Sequence, residues 1–151
     1  MTKISVIFVC THNSCRSQIS AGILNKIYKN SPYSIDKHVQ FSVTSSGLSS
    51  TKQIKPLAIE VCKEIGVDIS SAPQTILSDH DHTSYNVVVT TCTCSTIEFP
   101  AWQDQPNVRY ENWKDVERSG DGIEAFRNLR EQIQTKCQTL FHSLMVTKLL
   151  I

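Results

Sequence analysis

Cys10-Thr11-His12-Asn13-Ser14-Cys15-Arg16-Ser17 sets a thiol and a guanidinium at the two ends of a short polar loop. The apolar run Ile4 to Val9 before it reads as a buried strand, and Gln18 to Tyr28 after it reads as a helix. The loop is therefore expected at a helix N-terminus, where unpaired amides and the positive end of the helix dipole favour an anion. A thiol there ionises more readily than a free one, which makes Cys10 the expected nucleophile. Five residues between Cys and Arg let a backbone curl around a tetrahedral oxyanion with its amides inward, and Arg16 closes the rim with a bidentate fork that lysine lacks. Ser17 is placed to donate a hydrogen bond to the thiolate, and Asn13 tolerates the left-handed backbone of a tight loop. Thr11, His12, Asn13, Ser14, Cys15, Arg16 and Ser17 are thus the expected oxyanion-binding residues. A bare Cys-x5-Arg also fits a buried strand-end cysteine and a solvated arginine; the strand before, the helix after and Ser17 beside Arg16 favour the site.

The remaining cysteines divide by position. Cys62 and Cys137 fall on or beside helical apolar stripes and are expected to pack. Cys92 and Cys94 follow a strand, so they fall where an open parallel sheet presents its carboxyl end, the edge at which Cys10 also ends its strand. Thiols on one rim suit a specific chemistry. Reducing an oxyanion through a thiol takes two electrons, which arrive when a second sulfur attacks the first in line. A Cys92 to Cys94 bridge would close so small a ring that it would be strained and readily reduced, as suits a turnover intermediate. His80-Asp81-His82 with Cys92 and Cys94 offers zinc-ligand types, but the spacing fits no common finger or ribbon; a polar loop over Ser78 to Ser84 and no metal are expected.

These residues need a scaffold, and the rest of the chain describes one. Further strands are predicted at Val39 to Thr44, Asn86 to Thr91 and Asn107 to Tyr110. A helix opens near Pro56, carries Leu57, Ala58, Val61 and Ile65 on one face, and is closed by Gly66. From Ile123, the positions Phe126, Leu129, Ile133, Cys137, Leu140 and Leu144 mark one stripe of a long amphipathic helix. Strands that alternate with helices predict an α/β fold with a mostly parallel sheet. The chain of 151 residues, 40% hydrophobic, is expected to form one domain over residues 1–151. A net charge of +1 and no basic stripe with interleaved aromatics argue against a nucleic-acid partner. The N-terminal apolar run is too short for a signal-peptide core or a membrane span, so no membrane association and a cytoplasmic location are expected. In a reducing compartment, six cysteines point to catalysis, redox work or metal rather than a disulfide framework.

Val6-Ile7-Phe8-Val9-Cys10-Thr11-His12-Asn13-Ser14-Cys15-Arg16-Ser17-Gln18 resembles the phosphate-binding loop of the low-molecular-weight protein tyrosine phosphatase superfamily, and its Asn-Ser-Cys-Arg-Ser-Gln portion the arsenate reductase branch. Val43-Thr44-Ser45-Ser46-Gly47, Pro56-Leu57-Ala58 leading to Glu64-Ile65-Gly66-Val67-Asp68-Ile69-Ser70, and Asn86 to Thr91 before a cysteine agree in order. The resemblance implies a three-layer α/β sandwich with a central, mostly parallel four-stranded sheet flanked by helices. Reductases of the thioredoxin-coupled type carry a resolving pair about seven residues apart, where this chain has Phe99 at the second position. Cys92-Thr93-Cys94 followed by Pro100-Ala101-Trp102 is instead similar to the cyanobacterial type.

That likeness implies reduction of arsenate to arsenite through a disulfide cascade from Cys10 to Cys92 and Cys94. It further implies no bound cofactor, recycling by glutathione with glutaredoxin or else by thioredoxin, phosphate as a competitor, and a monomer. The superfamily's usual Asp-Pro general acid is missing from Asn112 to Arg118. Counting without gaps from Trp113 to Phe126 puts Glu117 in its place, while Asp115 fits only with a shift. Paired loop cysteines in the phosphatase relatives imply a reversible Cys10 to Cys15 bond; simple packing of Cys15 is the competing expectation. A small phosphoester hydrolase of the phosphatase kind is the alternative function, weakened by the lack of tyrosines beside that loop. The missing Asp-Pro motivates a second alternative, a non-catalytic oxyanion-binding or redox-sensing protein.

Overall fold

The computed structural model describes residues 2–49, 53–91, 102 and 106–149. Four strands, β1 (Thr2–Cys10), β2 (Val39–Gly47), β3 (Val87–Thr90) and β4 (Arg109–Asn112), form one sheet in the order β2-β1-β3-β4. Every pairing is parallel. Among the described residues three α-helices accompany them: α1 (Arg16–Lys29), α2 (Pro56–Lys63) and α3 (Ile123–Leu149).

β1 is central, and its near-continuous burial follows from having both faces covered. Ile4, Val6 and Phe8 enter the larger core with Val87, Val89 and the apolar sides of all three helices. Ile7 and Val9 turn the other way into a smaller cluster with Leu77, Val88 and Trp102. α1 reaches the larger core through Ile19, Ile23 and Leu24, a spacing of three to four that lines one helical face, and Lys26 and Lys29 meet the negative end of its dipole. All six positions of the stripe expected on α3 are buried, and the helix runs on to Leu149. Cys62 and Cys137 are buried core residues, as expected. Burial pushes the Cys62 thiol up to about 12 and that of Cys137 higher still.

Boundaries differ from the sequence expectation where polar residues are buried for a purpose. β2 runs beyond Thr44 through Ser45, Ser46 and Gly47, so that Gly47 stands in register with Cys10. The predicted polar loop over Ser78 to Ser84 folds into two short 3-10 turns, Leu77–Asp79 and His82–Ser84, the second capped by the Asp81 carboxylate accepting from the Thr83 amide. β4 begins at Arg109 rather than Asn107, whose φ of 67° belongs to a turn. After α2 the chain reverses at Gly66, at a φ of 75°; the Val67 amide returns to the Cys62 carbonyl at 2.9 Å. Among the described residues no helix is long and apolar enough to cross a membrane.

One ion-pair cluster ties α2 to α3. Glu64 accepts from Arg127 and Arg130, each at 2.7 Å, and hydrogen bonds from these two guanidinium groups hold its carboxyl at about 2 instead of 4.5. A carboxyl with a lowered folded-state pKa contributes stability above its unfolded value and loses it as pH falls through the folded one. The Tm difference between wild type and Glu64→Gln is therefore expected to hold steady above the ordinary 4.5 and to shrink as pH falls toward about 2. Thermal unfolding monitored by circular dichroism across that window checks it.

Candidate active site

The carboxyl ends of β1 and β2 and the start of α1 meet at the loop 10–16. Its carbonyls face outward and are taken up by the surroundings. Cys10 and Thr11 oxygens accept from the Leu48 and Ser49 amides at 3.1 and 3.0 Å, Ser14 oxygen from the Lys55 amide at 2.9 Å, and Cys15 oxygen from the Ile19 amide at 2.9 Å. Asn13 oxygen accepts from the side-chain amides of Gln18 and Gln74, at 3.3 and 3.0 Å. In a planar trans peptide the N-H points opposite to the C=O. The amides of Thr11, His12, Ser14 and Cys15 accordingly point toward the inside of the loop, the arrangement of an anion nest at a helix N-terminus.

The Asn13 amide is directed at the sulfur of Cys10, 3.1 Å away. Ser17 Oγ lies 2.9 Å from the same sulfur and 2.9 Å from Asn13 Oδ1. Asn13 has the left-handed φ of 53° expected of a tight loop. Its Nδ2 lies 3.5 Å from the Ser45 and Thr75 carbonyls. The loop is thus clamped from β2 on one side and from residues 73–75 on the other.

Gly47 shows how close that clamp is. A Cβ there would lie 2.6 Å from the Asn13 amide nitrogen, 2.7 Å from the Ser49 oxygen and 2.8 Å from the His12 carbonyl carbon, all backbone atoms that cannot rotate aside. Gly47→Ala is expected to displace the loop, to weaken phosphate binding by at least about 10-fold and to cost about 1–3 kcal/mol of stability. Phosphate titration calorimetry and urea unfolding check the two parts.

Arg16 is half-buried at the far end of the loop, and its Nη1 donates to the Thr91 carbonyl at 3.3 Å. Thr91 is bound to Val9 as well, its amide at 2.8 Å and its hydroxyl at 3.0 Å from the Val9 oxygen. The chain immediately before Cys92 therefore lies against the nucleophile's own strand. Cys92 and Cys94 fall outside the described residues. His12 Nδ1 lies 2.9 Å from Ser49 Oγ, and Ser14 is buried against the Lys55 contact.

Cys15 sits in the larger core beneath the loop. Burial pushes its thiol up to about 11, with Cys10 acting in the same direction and Arg118, Lys55 and Arg16 opposing. A thiol so placed stays protonated and packs, which favours the packing expectation over a partner bond to Cys10. Glu117 is exposed, and its backbone is held by Gln132 of α3, which accepts from the Glu117 amide at 3.2 Å and donates to its oxygen at 2.9 Å. Arg118 lies over the Phe126 ring at 4.4 Å and pairs with Asp121 at 3.2 Å. Asp115 pairs with Lys136 at 2.9 Å, and that bond holds its carboxyl below the ordinary range.

Sequence reasoning did not single out the supports of the loop: Ser45, Gln18, Gln74, Thr75 and, through Thr75, His80. None carries a spacing signature, since each acts by a contact across 5 to 62 residues that only the fold brings together. Gln18, Ser45 and Gly47 do stand in the segments that carry the family resemblance, the one signal that pointed to them.

The profile of the family described as low molecular weight phosphotyrosine protein phosphatase matches residues 5–148. A glutaredoxin arsenate reductase of Synechocystis sp. is 31% identical over 135 residues, 89% of this chain and 94% of its own length. An arsenate reductase of Staphylococcus aureus is 31% identical over 134 residues, 89% of this chain and 93% of its own length. A solved arsenate reductase in the phosphate binding state superposes with a TM-score of 0.76 at 30% identity, over 93% of this chain and 98% of that one.

Proposed function

The chain belongs to the low molecular weight phosphotyrosine protein phosphatase family, and on that premise we propose that it is a cytoplasmic, monomeric arsenate reductase. The observation that carries the reading is the Cys10 sulfur under its two hydrogen-bonding neighbours, at the mouth of an amide nest whose arginine holds the residue preceding Cys92.

Arsenate occupies the nest formed by residues 11–17, with its oxygens on the inward amides and the free donors of Arg16. Cys10 attacks arsenic, the S-As bond forms, and one oxygen leaves as water after protonation; Glu117 is the carboxyl assigned to that proton. Cys92 or Cys94 then attacks the Cys10 sulfur. The new S-S bond forms as S-As breaks, its electron pair passes to arsenic, and arsenite leaves. The remaining thiol of the pair displaces Cys10 and leaves a Cys92 to Cys94 disulfide. No bound cofactor is required, because two glutathione thiols, delivered through glutaredoxin, supply the two electrons. The match to a glutaredoxin arsenate reductase favours that donor over thioredoxin. Phosphate, of nearly the same shape and charge, competes for the nest.

Arsenite release is the deciding measurement, made with glutathione and glutaredoxin and separately with thioredoxin and its reductase. Turnover with the first pair supports the full reading, and turnover with the second alone replaces only the donor. Arsenate binding with no arsenite from either system would leave an oxyanion-binding protein instead.

A further inference from the structure

His80, which the reaction does not use, is linked to the nucleophile by an unbroken series of hydrogen bonds. Its Nε2 lies 2.8 Å from Thr75 Oγ1 and its Nδ1 3.0 Å from the Tyr85 hydroxyl. The hydrogens can be assigned by counting. Thr75 Oγ1 has one hydrogen and gives it to the Ser45 carbonyl at 2.8 Å, so in the His80 contact the threonine oxygen accepts and His80 Nε2 donates. In the neutral ring Nδ1 then accepts from Tyr85, whose ring is itself 5.8 Å from buried Trp102.

Thr75 is the knot of the clamp below the loop. Its carbonyl accepts from the Gly47 amide at 3.0 Å, from Ser46 Oγ at 3.4 Å and from Asn13 Nδ2 at 3.5 Å. Through Gly47 it fixes the end of β2 against the nest; through Asn13 it fixes the residue whose amide points at sulfur and whose Oδ1 meets Ser17. Both long Asn13 bonds are weak, so their geometry depends on Thr75 being held from its other side. His80 does the holding, fixed in turn by Tyr85.

We infer that His80 is a positioning residue for the oxyanion loop, acting by Nε2-H donation to Thr75 and not by contact with the substrate. The inference rests on the loop being the active site, but it makes no use of arsenite formation. Glutamine places an amide N-H near the position of Nε2, whereas asparagine reaches only the position of Nδ1. The two amides therefore separate the Thr75 bond from the Tyr85 bond.

The experiment measures phosphate affinity by calorimetry and the phosphate-protected rate of iodoacetate labelling at Cys10, read by peptide mass spectrometry. His80→Ala and His80→Asn are expected to weaken phosphate binding and slow labelling by about 3- to 10-fold, the range of one lost hydrogen bond. His80→Gln is expected to stay within about 2-fold of wild type on the same scale. Thr75→Val, which keeps the shape but removes both the acceptor for His80 and the donor to the Ser45 carbonyl, should be impaired at least as much as His80→Ala, and adding His80→Ala to it should cause no further loss. This second route also serves if His80→Ala does not fold. Wild-type behaviour in His80→Ala, impairment of His80→Gln equal to that of His80→Ala, or full rescue by asparagine would each overturn the inference. A wild-type protein that binds phosphate and is labelled at Cys10 but releases no arsenite fails the reductase proposal alone, and the His80 comparison still reads.

Discussion

Replacing Cys92 and Cys94 together by serine is expected to lower multiple-turnover arsenite release by at least about 10³-fold, with arsenate still bound and Cys10 still able to attack it. The reason is electron counting. Cys10 alone can form a covalent adduct, but the pair of electrons that turns arsenic from the pentavalent to the trivalent state must come with a second sulfur, and a serine hydroxyl cannot form the disulfide. Phosphoester hydrolysis needs only the nucleophile, the nest and a proton donor, so any such activity survives the double substitution. Thr91 is what makes the pair a sensible choice of resolving group: it is bonded to Arg16 and Val9 and immediately precedes Cys92. Rapid-quench chromatography of arsenic species checks turnover, and p-nitrophenyl phosphate checks the hydrolytic step. Undiminished turnover would show that Cys10 is reduced directly from outside.

Cys10→Ser is expected to abolish both chemistries, by on the order of 10⁴-fold or more in kcat, while phosphate affinity changes little. The nest is made of amides and a guanidinium and does not need the sulfur to hold an anion. What disappears is the atom that the Asn13 amide and Ser17 hydroxyl are arranged around. A hydroxyl there stays protonated, and no general base in hydrogen-bond reach is built into the loop to activate it. Cys15 cannot stand in, because burial pushes its thiol up to about 11 in a core position beneath the loop. Calorimetry with phosphate and an arsenite assay on the same preparation separate binding from chemistry.

How much of this could be read from residue order depends on the range of the interactions. The loop was legible because its parts are contiguous: an apolar strand, a Cys-x5-Arg and a helical stripe beginning at Ile19 specify the nest without help from elsewhere. α3 was legible for a related reason, since six apolar residues at helical spacing describe one buried face. Hydrophobicity misled at the end of β2, where Ser45, Ser46 and Gly47 look like loop and are in fact a buried strand end in register with the nucleophile. The pairing of Asp115 with Lys136 on α3, 21 residues away, left no mark in the sequence for the same reason of range. Gln74, Thr75 and His80 were illegible because they act through backbone carbonyls and single amide hydrogens, which leave no pattern in residue types.

The Ser17 hydroxyl owns a single hydrogen and has two claimants, the Asn13 side-chain oxygen and the Cys10 sulfur. While sulfur keeps its proton it can give that proton to Ser17, and Ser17 can satisfy asparagine. Once sulfur becomes an anion the hydrogen must swing toward it, and the asparagine oxygen is released. Ionising one atom thus loosens a strut of the surrounding ring, so the cradle relaxes only after its nucleophile is armed.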